Sequence, residues 1–189
     1  SLREIPVLTR LRQETASMPE TEMQISPDQG QFMSLLVKLI DARKIVEVGC
    51  FTGYSSTVMA QALPDDGRLV TCDISEQFTT IAQRYWREAG VSDKIELRLG
   101  DAGESLKDLL QDEAGTFDLT FIDADKTHYA AYVDDCLLLL RPGGLMLIDN
   151  VLWRGKVLSK PRKNDLETME IQKLNKQITN DKKVENILL

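Results

Sequence analysis

Residues 46–55 read VEVGCFTGYS, an apolar segment followed by a turn with two glycines and the beginning of a helix. The apolar segment is typical of a buried strand. Gly49 and Gly53 lack a Cβ and so let the backbone approach a ligand closely, while the helix behind them presents free N–H groups. The stretch therefore predicts a strand–turn–helix unit with a binding site at the carboxyl end of its strand.

The rest of the chain repeats this alternation of strand and helix. Predicted strands cover residues 44–48, 68–72, 94–99, 117–122 and 145–148, and predicted helices cover 54–63, 76–89, 104–110 and 127–140. Strands separated by helices require right-handed crossovers. We therefore predict the α/β class with a doubly wound, mostly parallel sheet.

Segments outside this core are predicted to be mainly helical. Helices are expected at residues 6–18 and 28–41, and a further helix at 165–178 is expected to precede the beginning of a strand at 184–189. The chain has no internal repeat or low-complexity tract. It is interpreted as a single domain over residues 1–189, with N-terminal helices in 1–43, a core in 44–150, and a C-terminal helix and strand in 151–189.

The composition is that of an ordinary globular protein, with 189 residues, 42% apolar and 28% charged. No segment approaches the roughly 20 apolar residues that a membrane span needs, and charged residues near the start disfavour a secretory signal. We therefore expect a cytoplasmic protein without a membrane partner. Cys50, Cys72 and Cys136 form no CxxC pair and are expected to be reduced and structural.

The charge balance argues against nucleic acid as a partner. Thirty acidic residues outnumber 23 basic ones, for a net charge of −7, which would repel a phosphate backbone. Only residues 154–163 are locally basic, and this tract is interpreted as a solvated loop.

The glycine turn favours an adenosine-type cofactor over a dinucleotide. Its spacing is G-x-x-x-G, whereas a pyrophosphate-binding turn prefers G-x-G-x-x-G. Asp73 ends the second strand, where a carboxylate can accept both hydroxyls of a ribose. Ala102 follows the third strand and is small enough to border an adenine ring. Glu47 lies inside the first strand, where its charge is unfavourable unless it meets a cation such as an amino-acid ammonium group.

Acidic groups also end two other strands. Residues 121–126 read FIDADK and residues 147–150 read LIDN. Because the carboxyl ends of parallel strands meet at one edge of a sheet, these groups predict a binding site there.

Four motifs give the chain a specific resemblance. MQISPDQGQF (23–32), VEVGCFTGYSS (46–56), FIDADKTHY (121–129) and LIDNVLWRGKV (147–157) occur in this order. Together they resemble the caffeoyl-CoA O-methyltransferase family of cation-dependent class I enzymes, which is related to catechol O-methyltransferase. The similarity extends from about Leu11 to Leu189. It implies a Rossmann-like fold, a homodimer and S-adenosylmethionine (AdoMet) as cofactor.

The resemblance also implies roles for individual residues. The methionine end of AdoMet would be held by Glu47, Gly49 and Ser55, with Met23 and Cys50 nearby; Asp73 would bind the ribose, Ala102 the adenine, and Asp125 the amino group, with Asp123 also at the cofactor. Asp123, Asp149 and Asn150 would bind a divalent cation, magnesium being favoured over calcium or manganese.

The implied reaction is methyl transfer to a hydroxyl of a catechol-like small molecule. Lys126 would act as the general base beside Asp123, and Trp153 and Tyr129 could wall the acceptor pocket. The chain departs from the family at two points. Arg154 replaces an asparagine that touches substrate in plant members, and the family's last strand, with its GDG turn, is absent from this sequence.

Three alternatives remain open at this point. The first is an NAD-dependent oxidoreductase, which the glycine spacing disfavours. The second is a methyltransferase for amino groups of nucleic acids, although DADK replaces the Asn/Asp-Pro-Pro-aromatic motif of those enzymes. The third is a non-catalytic regulatory protein that binds AdoMet or metal, and measured turnover would exclude it.

Overall fold

The computed structural model describes residues 2–189, which form one five-stranded, all-parallel sheet in the order β3-β2-β1-β4-β5. The strands are β1 (Lys44–Val48), β2 (Arg68–Asp73), β3 (Ile95–Leu99), β4 (Phe117–Ile122) and β5 (Leu140–Ile148). The chain order reverses between β1 and β4, the switch point at which open α/β sheets bind ligands. This topology confirms the predicted fold class.

Helices connect and cover the strands. The α-helices are α1 (Pro6–Thr15), α2 (Pro27–Leu39), α3 (Tyr54–Ala62), α4 (Glu76–Glu88), α5 (Ala102–Glu113), α6 (Tyr129–Leu139) and α7 (Leu166–Asn180). Short 3₁₀ helices occupy Thr21–Met23, Ser92–Lys94, Lys126–His128 and Trp153–Leu158. Every predicted helix is present, with shifts at its ends.

The two faces of the sheet bury separate apolar clusters. Because successive side chains of a strand point to opposite faces, Ile45 packs with α1, α2 and α3, whereas Val46 packs with α5, α6 and α7. Parallel strands that are covered on both faces need nearly continuous apolar sequence. This requirement explains the runs that identified β1 and β4.

Local capping explains where the helices begin. Ser26 precedes α2 and its hydroxyl accepts a hydrogen bond from the Gln29 N–H at 3.3 Å, with Pro27 as the first helical residue. Ser75 caps α4 in the same way, accepting from the Phe78 N–H at 3.3 Å. Both starts agree with the sequence signals.

The structure corrects two predicted strands. β5 begins at Leu140 rather than at residue 145, because residues 141–144 form an irregular stretch of the strand that shifts its register against β4. The predicted strand at 184–189 is wrong, and those residues have no regular structure. A strand forms only against a neighbouring strand, and no strand in the described part of the chain reaches this segment.

No helix between Leu2 and Leu189 is long and apolar enough to cross a membrane. Cys50, Cys72 and Cys136 are buried and free, as expected for structural thiols.

Candidate active site

The glycine turn after β1 packs directly against the end of β4. Gly49 has a φ of +95°, and a Cβ placed on it would lie 2.0 Å from the backbone oxygen of Asp123. Gly53, with a φ of +86°, would bring a Cβ to 2.6 Å from that of Ala82. Contacts within the protein therefore already require both glycines, in addition to the ligand approach that the sequence predicted.

Asp73 joins this turn to the end of β2. Its Oδ2 accepts hydrogen bonds from the backbone N–H groups of Cys50 at 2.9 Å and Phe51 at 2.8 Å, and its Oδ1 accepts one from Ser75 at 2.8 Å. Cys50 thus contributes its backbone here, while its thiol is buried close to Ser56. The predicted ribose-binding carboxylate is held rigidly at the carboxyl edge of the sheet.

Glu47 is completely buried in β1 beside two hydroxyl groups. Ser55 donates to Oε1 and Thr71 donates to Oε2, each at 2.6 Å. Burial raises the pKa of this carboxyl to about 7. The resemblance implied that Glu47 and Ser55 lie at the same end of the cofactor, but nothing in the sequence analysis singled out Thr71. The signal lies in the β1–β2 register, which places Thr71 opposite Glu47.

Met23 and Ala102 lie in segments that border the candidate site. Ala102 is the first residue of α5, directly after β3, and is partly buried. Met23 is 52% exposed in the 3₁₀ helix before α2. Its neighbour Glu22 forms an ion pair with Arg154, so this segment reaches the loop after β5.

Two carboxylates, those of Asp123 and Asp149, follow the paired strands β4 and β5. Burial raises the pKa of Asp123; the nearby charge of Asp149 adds to the rise, while Lys126 opposes it. Asp149 accepts a hydrogen bond from the Gln29 side chain at 3.0 Å and one from the Asn150 N–H at 2.6 Å. Sequence reasoning missed Gln29, because its contact depends on where α2 packs.

These groups fit a hard divalent cation. Asp123 and Asp149 provide carboxylate oxygens whose mutual repulsion a dication would relieve, and Asn150 follows with an amide. Asn150 is in the left-handed region, with a φ of 60°. Across residues 2–189 no three His, Cys, Asp or Glu side chains are grouped to hold a metal, so a site here would also need the Asn150 amide.

Lys126 lies beside Asp123, as the sequence predicted. The Lys126 side chain is only 7% exposed, and its Nζ donates to Asp123 Oδ1 at 3.0 Å and to the Ala124 carbonyl at 2.9 Å. Nζ also donates to the hydroxyl of Tyr129, which is fully buried and therefore supports Lys126 from the core rather than forming a pocket wall. The Trp153 ring centre is 5.6 Å from Nζ.

The Asp125 side chain contacts residues that follow it closely in the chain. It accepts hydrogen bonds from Tyr132 at 2.8 Å and Thr127 at 3.0 Å, and it contacts His128 Nδ1. The Asp125 carboxylate raises the pKa of His128, which is exposed. The sequence pattern gave no indication of this pair.

Comparison with known proteins identifies the family of the chain. A family described as O-methyltransferase matches residues 1–189. Mouse catechol O-methyltransferase domain-containing protein 1 is 42% identical over 186 residues, covering 97% of this chain and 70% of the mouse protein. Caffeoyl-CoA O-methyltransferase 1 of Eucalyptus globulus is 42% identical over 160 residues, covering 84% of this chain and 65% of the plant protein.

Solved structures give the same result. The O-methyltransferase from Bacillus cereus in complex with SAH is 34% identical with a TM-score of 0.88, covering 96% of this chain and 82% of that one. TomG from Streptomyces achromogenes in complex with SAM is 32% identical with a TM-score of 0.87, covering 95% and 80%. The chain therefore belongs to the O-methyltransferase family and is an enzyme of the S-adenosylmethionine-dependent class.

Proposed function

We propose that this enzyme transfers a methyl group from AdoMet to one hydroxyl of a catechol-like small molecule, with a divalent cation required. The observation that carries the proposal is the position of Asp123 and Asp149 at the carboxyl ends of the paired strands β4 and β5, with Lys126 hydrogen-bonded to Asp123. The names of the relatives, which include caffeoyl-CoA and catechol O-methyltransferase proteins, support this acceptor class.

The cofactor would occupy the half of the site on β1, β2 and β3. Asp73 is held by three backbone N–H groups and keeps carboxylate lone pairs for the ribose hydroxyls. Glu47, with Ser55 beside it, would face the cationic methionine end. The remaining cofactor contacts in the proposal are Met23, Gly49, Cys50, Ala102, Asp123 and Asp125.

The acceptor would occupy the half on β4 and β5. Asp123, Asp149 and Asn150 would hold the cation, and magnesium, calcium or manganese all suit such oxygen ligands. A dication there would supply Lewis acidity that makes a phenolic hydroxyl easier to deprotonate. Lys126 Nζ, in its neutral form, would take the phenolic proton. The phenolic oxygen would then bond to the methyl carbon as the bond from that carbon to sulfur breaks.

Methyl transfer to 3,4-dihydroxycinnamate, measured with excess Mg²⁺ and again in EDTA, tests the proposal. We expect turnover with Mg²⁺, its loss in EDTA, and recovery when Mg²⁺ is restored. Full activity in EDTA would contradict the metal requirement. Failure to methylate any member of a catechol panel would contradict the acceptor class.

Replacing Lys126 tests the role of the general base independently of the metal site. Lys126→Ala should lower turnover by about 10²- to 10⁴-fold, the usual contribution of general base catalysis. Calorimetry should find AdoMet affinity within a small factor of wild type, because the cofactor contacts lie mainly on other strands. Exposed Lys107 on α5 provides the control, and Lys107→Ala should retain normal turnover.

The Asp149→Ala variant should lose activity for a different reason than Lys126→Ala does. Removing one of two carboxylates should abolish most of the Mg²⁺ affinity in calorimetry while AdoMet still binds. High Mg²⁺ should restore part of the activity of Asp149→Ala but none of that lost in Lys126→Ala. The same response to Mg²⁺ in both variants would argue against separate roles.

We also propose that the enzyme is cytoplasmic and has no nucleic-acid partner. The net charge of −7 supports a small-molecule acceptor over a polyanion.

A further inference from the structure

The loop after β5 has an unusual backbone conformation and lies next to Lys126. Trp153, Arg154 and Gly155 have φ values of 44°, 53° and 79°, three successive residues in the left-handed region. Such conformations persist only where surrounding contacts maintain them. From α7, the Asn175 amide donates to the Val151 carbonyl at 2.7 Å and so supports this loop.

Two lysine side chains flank the indole of Trp153. Lys126 Nζ is 5.6 Å and Lys156 Nζ is 5.4 Å from the ring centre. The indole N–H is buried and has no hydrogen-bond partner in the described residues, a state that costs free energy unless a ligand or water accepts the bond. The Trp153 ring therefore lies between the proposed base, Lys126, and a second lysine, Lys156.

Arg154 extends this cationic surface and is free to exchange its partner. It forms an ion pair with Glu22 at 2.7 Å, but the two side chains are 72% and 69% exposed. Exposed ion pairs of this kind are weak, so an anion on a ligand can replace Glu22. Two residues beyond Glu22, the Oε1 atom of Gln24 is buried and accepts no hydrogen bond from residues 2–189.

The local charge is opposite to that of the whole molecule. Residues 154–163 contain five basic and no acidic side chains in a chain of net charge −7. Arg154 and Lys156 are the members of this tract nearest Trp153 in sequence, and Lys156 contacts its ring. A neutral acceptor would gain no charge–charge attraction from these two residues.

We propose that Arg154 and Lys156 are specificity-determining residues that select aromatic acceptors carrying an anionic group, a carboxylate or a phosphate, over neutral acceptors. The inference rests on the proposed function and adds to it the charge of the substrate. Trp153 would contact the aromatic part of the acceptor, and Arg154 would exchange Glu22 for the anion. An arginine can bind either kind of anion through two parallel N–H groups.

The test compares matched acceptors that differ in charge. The three probes are 3,4-dihydroxycinnamate, its neutral amide, and a phosphate monoester of 3,4-dihydroxyphenylethanol. We expect the wild-type enzyme to prefer the anionic probes over the amide by about tenfold in kcat/KM, mainly through KM, since one charge-assisted contact at an exposed site has this magnitude. The ratio between the two anionic probes distinguishes carboxylate from phosphate selection.

Variants test whether Arg154 and Lys156 cause the preference for anionic acceptors. Arg154→Gln with Lys156→Gln should bring the ratio of kcat/KM for the acid to kcat/KM for the amide close to one. Glu22→Gln should increase it, because Arg154 loses its competing partner. Lys163→Gln, a change in the same basic tract with no contact to Trp153, should behave as wild type. An unchanged ratio in the double variant would overturn the proposal.

A binding measurement keeps the inference separate from the proposed activity. Calorimetry with 3,4-dihydroxycinnamate and its amide on the AdoMet-bound enzyme requires no turnover. Tighter binding of the acid, lost in the double variant, would support the inference even if neither probe were methylated. Equal affinities for the acid and the amide would overturn the inference and leave the methyltransferase assignment intact.

Discussion

Glu47 makes the stability of the folded protein depend on pH. Its pKa in the folded protein is about 7, above the ordinary value of 4.5, because burial disfavours the charged form. The folded state therefore favours protonated Glu47, and this contribution to stability is complete below about pH 4.5 and is lost as the pH rises towards 7.

Glu47→Gln should remove this effect in the cofactor-free protein. Urea unfolding at pH 5 and pH 8 should show the variant gaining about 2–3 kcal/mol relative to wild type at the higher pH, since one pKa unit corresponds to about 1.4 kcal/mol. A difference between the two proteins that does not change with pH would mean that Glu47 is not buried as described.

Asp73 combines binding with support of the turn. Asp73→Ala should weaken AdoMet binding roughly 10- to 150-fold in calorimetry. It should also lower the melting temperature, because three backbone N–H groups lose their acceptor. Asp165 caps α7 with the same type of bond, so Asp165→Ala should lower stability and leave AdoMet affinity unchanged.

Among the structural elements, the turn between β1 and α3 tolerates the least change. Gly49→Ala would combine a positive φ with a clash against a backbone oxygen 2.0 Å away, whereas Gly90→Ala would meet the positive φ alone, with no atom within 4 Å. Denaturant unfolding should find a loss of about 1–2 kcal/mol for Gly90→Ala and of about 4 kcal/mol or more for Gly49→Ala. Similar losses would mean that the turn can move away from β4.

The sequence predicted the bounds of helices and strands well where neighbouring residues determine those bounds. β1 and β4 have the predicted bounds because Arg43 and the Gly49 turn border the first run, and Thr116 and Asp123 border the second. β5 was predicted too short, since Pro142 and the two glycines after it resemble a turn but lie inside an irregular strand. The error at 184–189 has a different cause, because a short segment rich in apolar residues cannot show whether a partner strand exists.

In the candidate site, too, features set by local sequence were predictable and features set by tertiary packing were not. The proximity of Asp123, Lys126 and Asp149 was predictable, because adjacent parallel strands bring their carboxyl ends together. The contacts of Thr71 with Glu47 and of Gln29 with Asp149 were not predictable. They depend on strand register and on the packing of α2, which a single sequence does not encode locally.

For the whole molecule we predict a homodimer. The resemblance implies it, and Phe32, Leu35 and Leu39 leave an exposed apolar stripe on one face of α2 that a second copy could cover. Sedimentation equilibrium should give twice the single-chain mass of 21.3 kDa. Leu39→Glu should shift the mass towards the monomer, whereas Lys38→Glu, outside the stripe, should not. A monomeric wild type would contradict the prediction.

The strand order also affects how the chain folds as it leaves the ribosome. β1 is paired with β2 on one side, but its other neighbour, β4, begins only at Phe117. At about 5–20 residues per second, synthesis of the intervening chain takes several seconds. During that time the central strand is an edge strand whose apolar residues and free backbone groups can pair with another chain. The nascent protein therefore passes through an aggregation-prone stage that ends when residues 117–122 emerge and pair with β1.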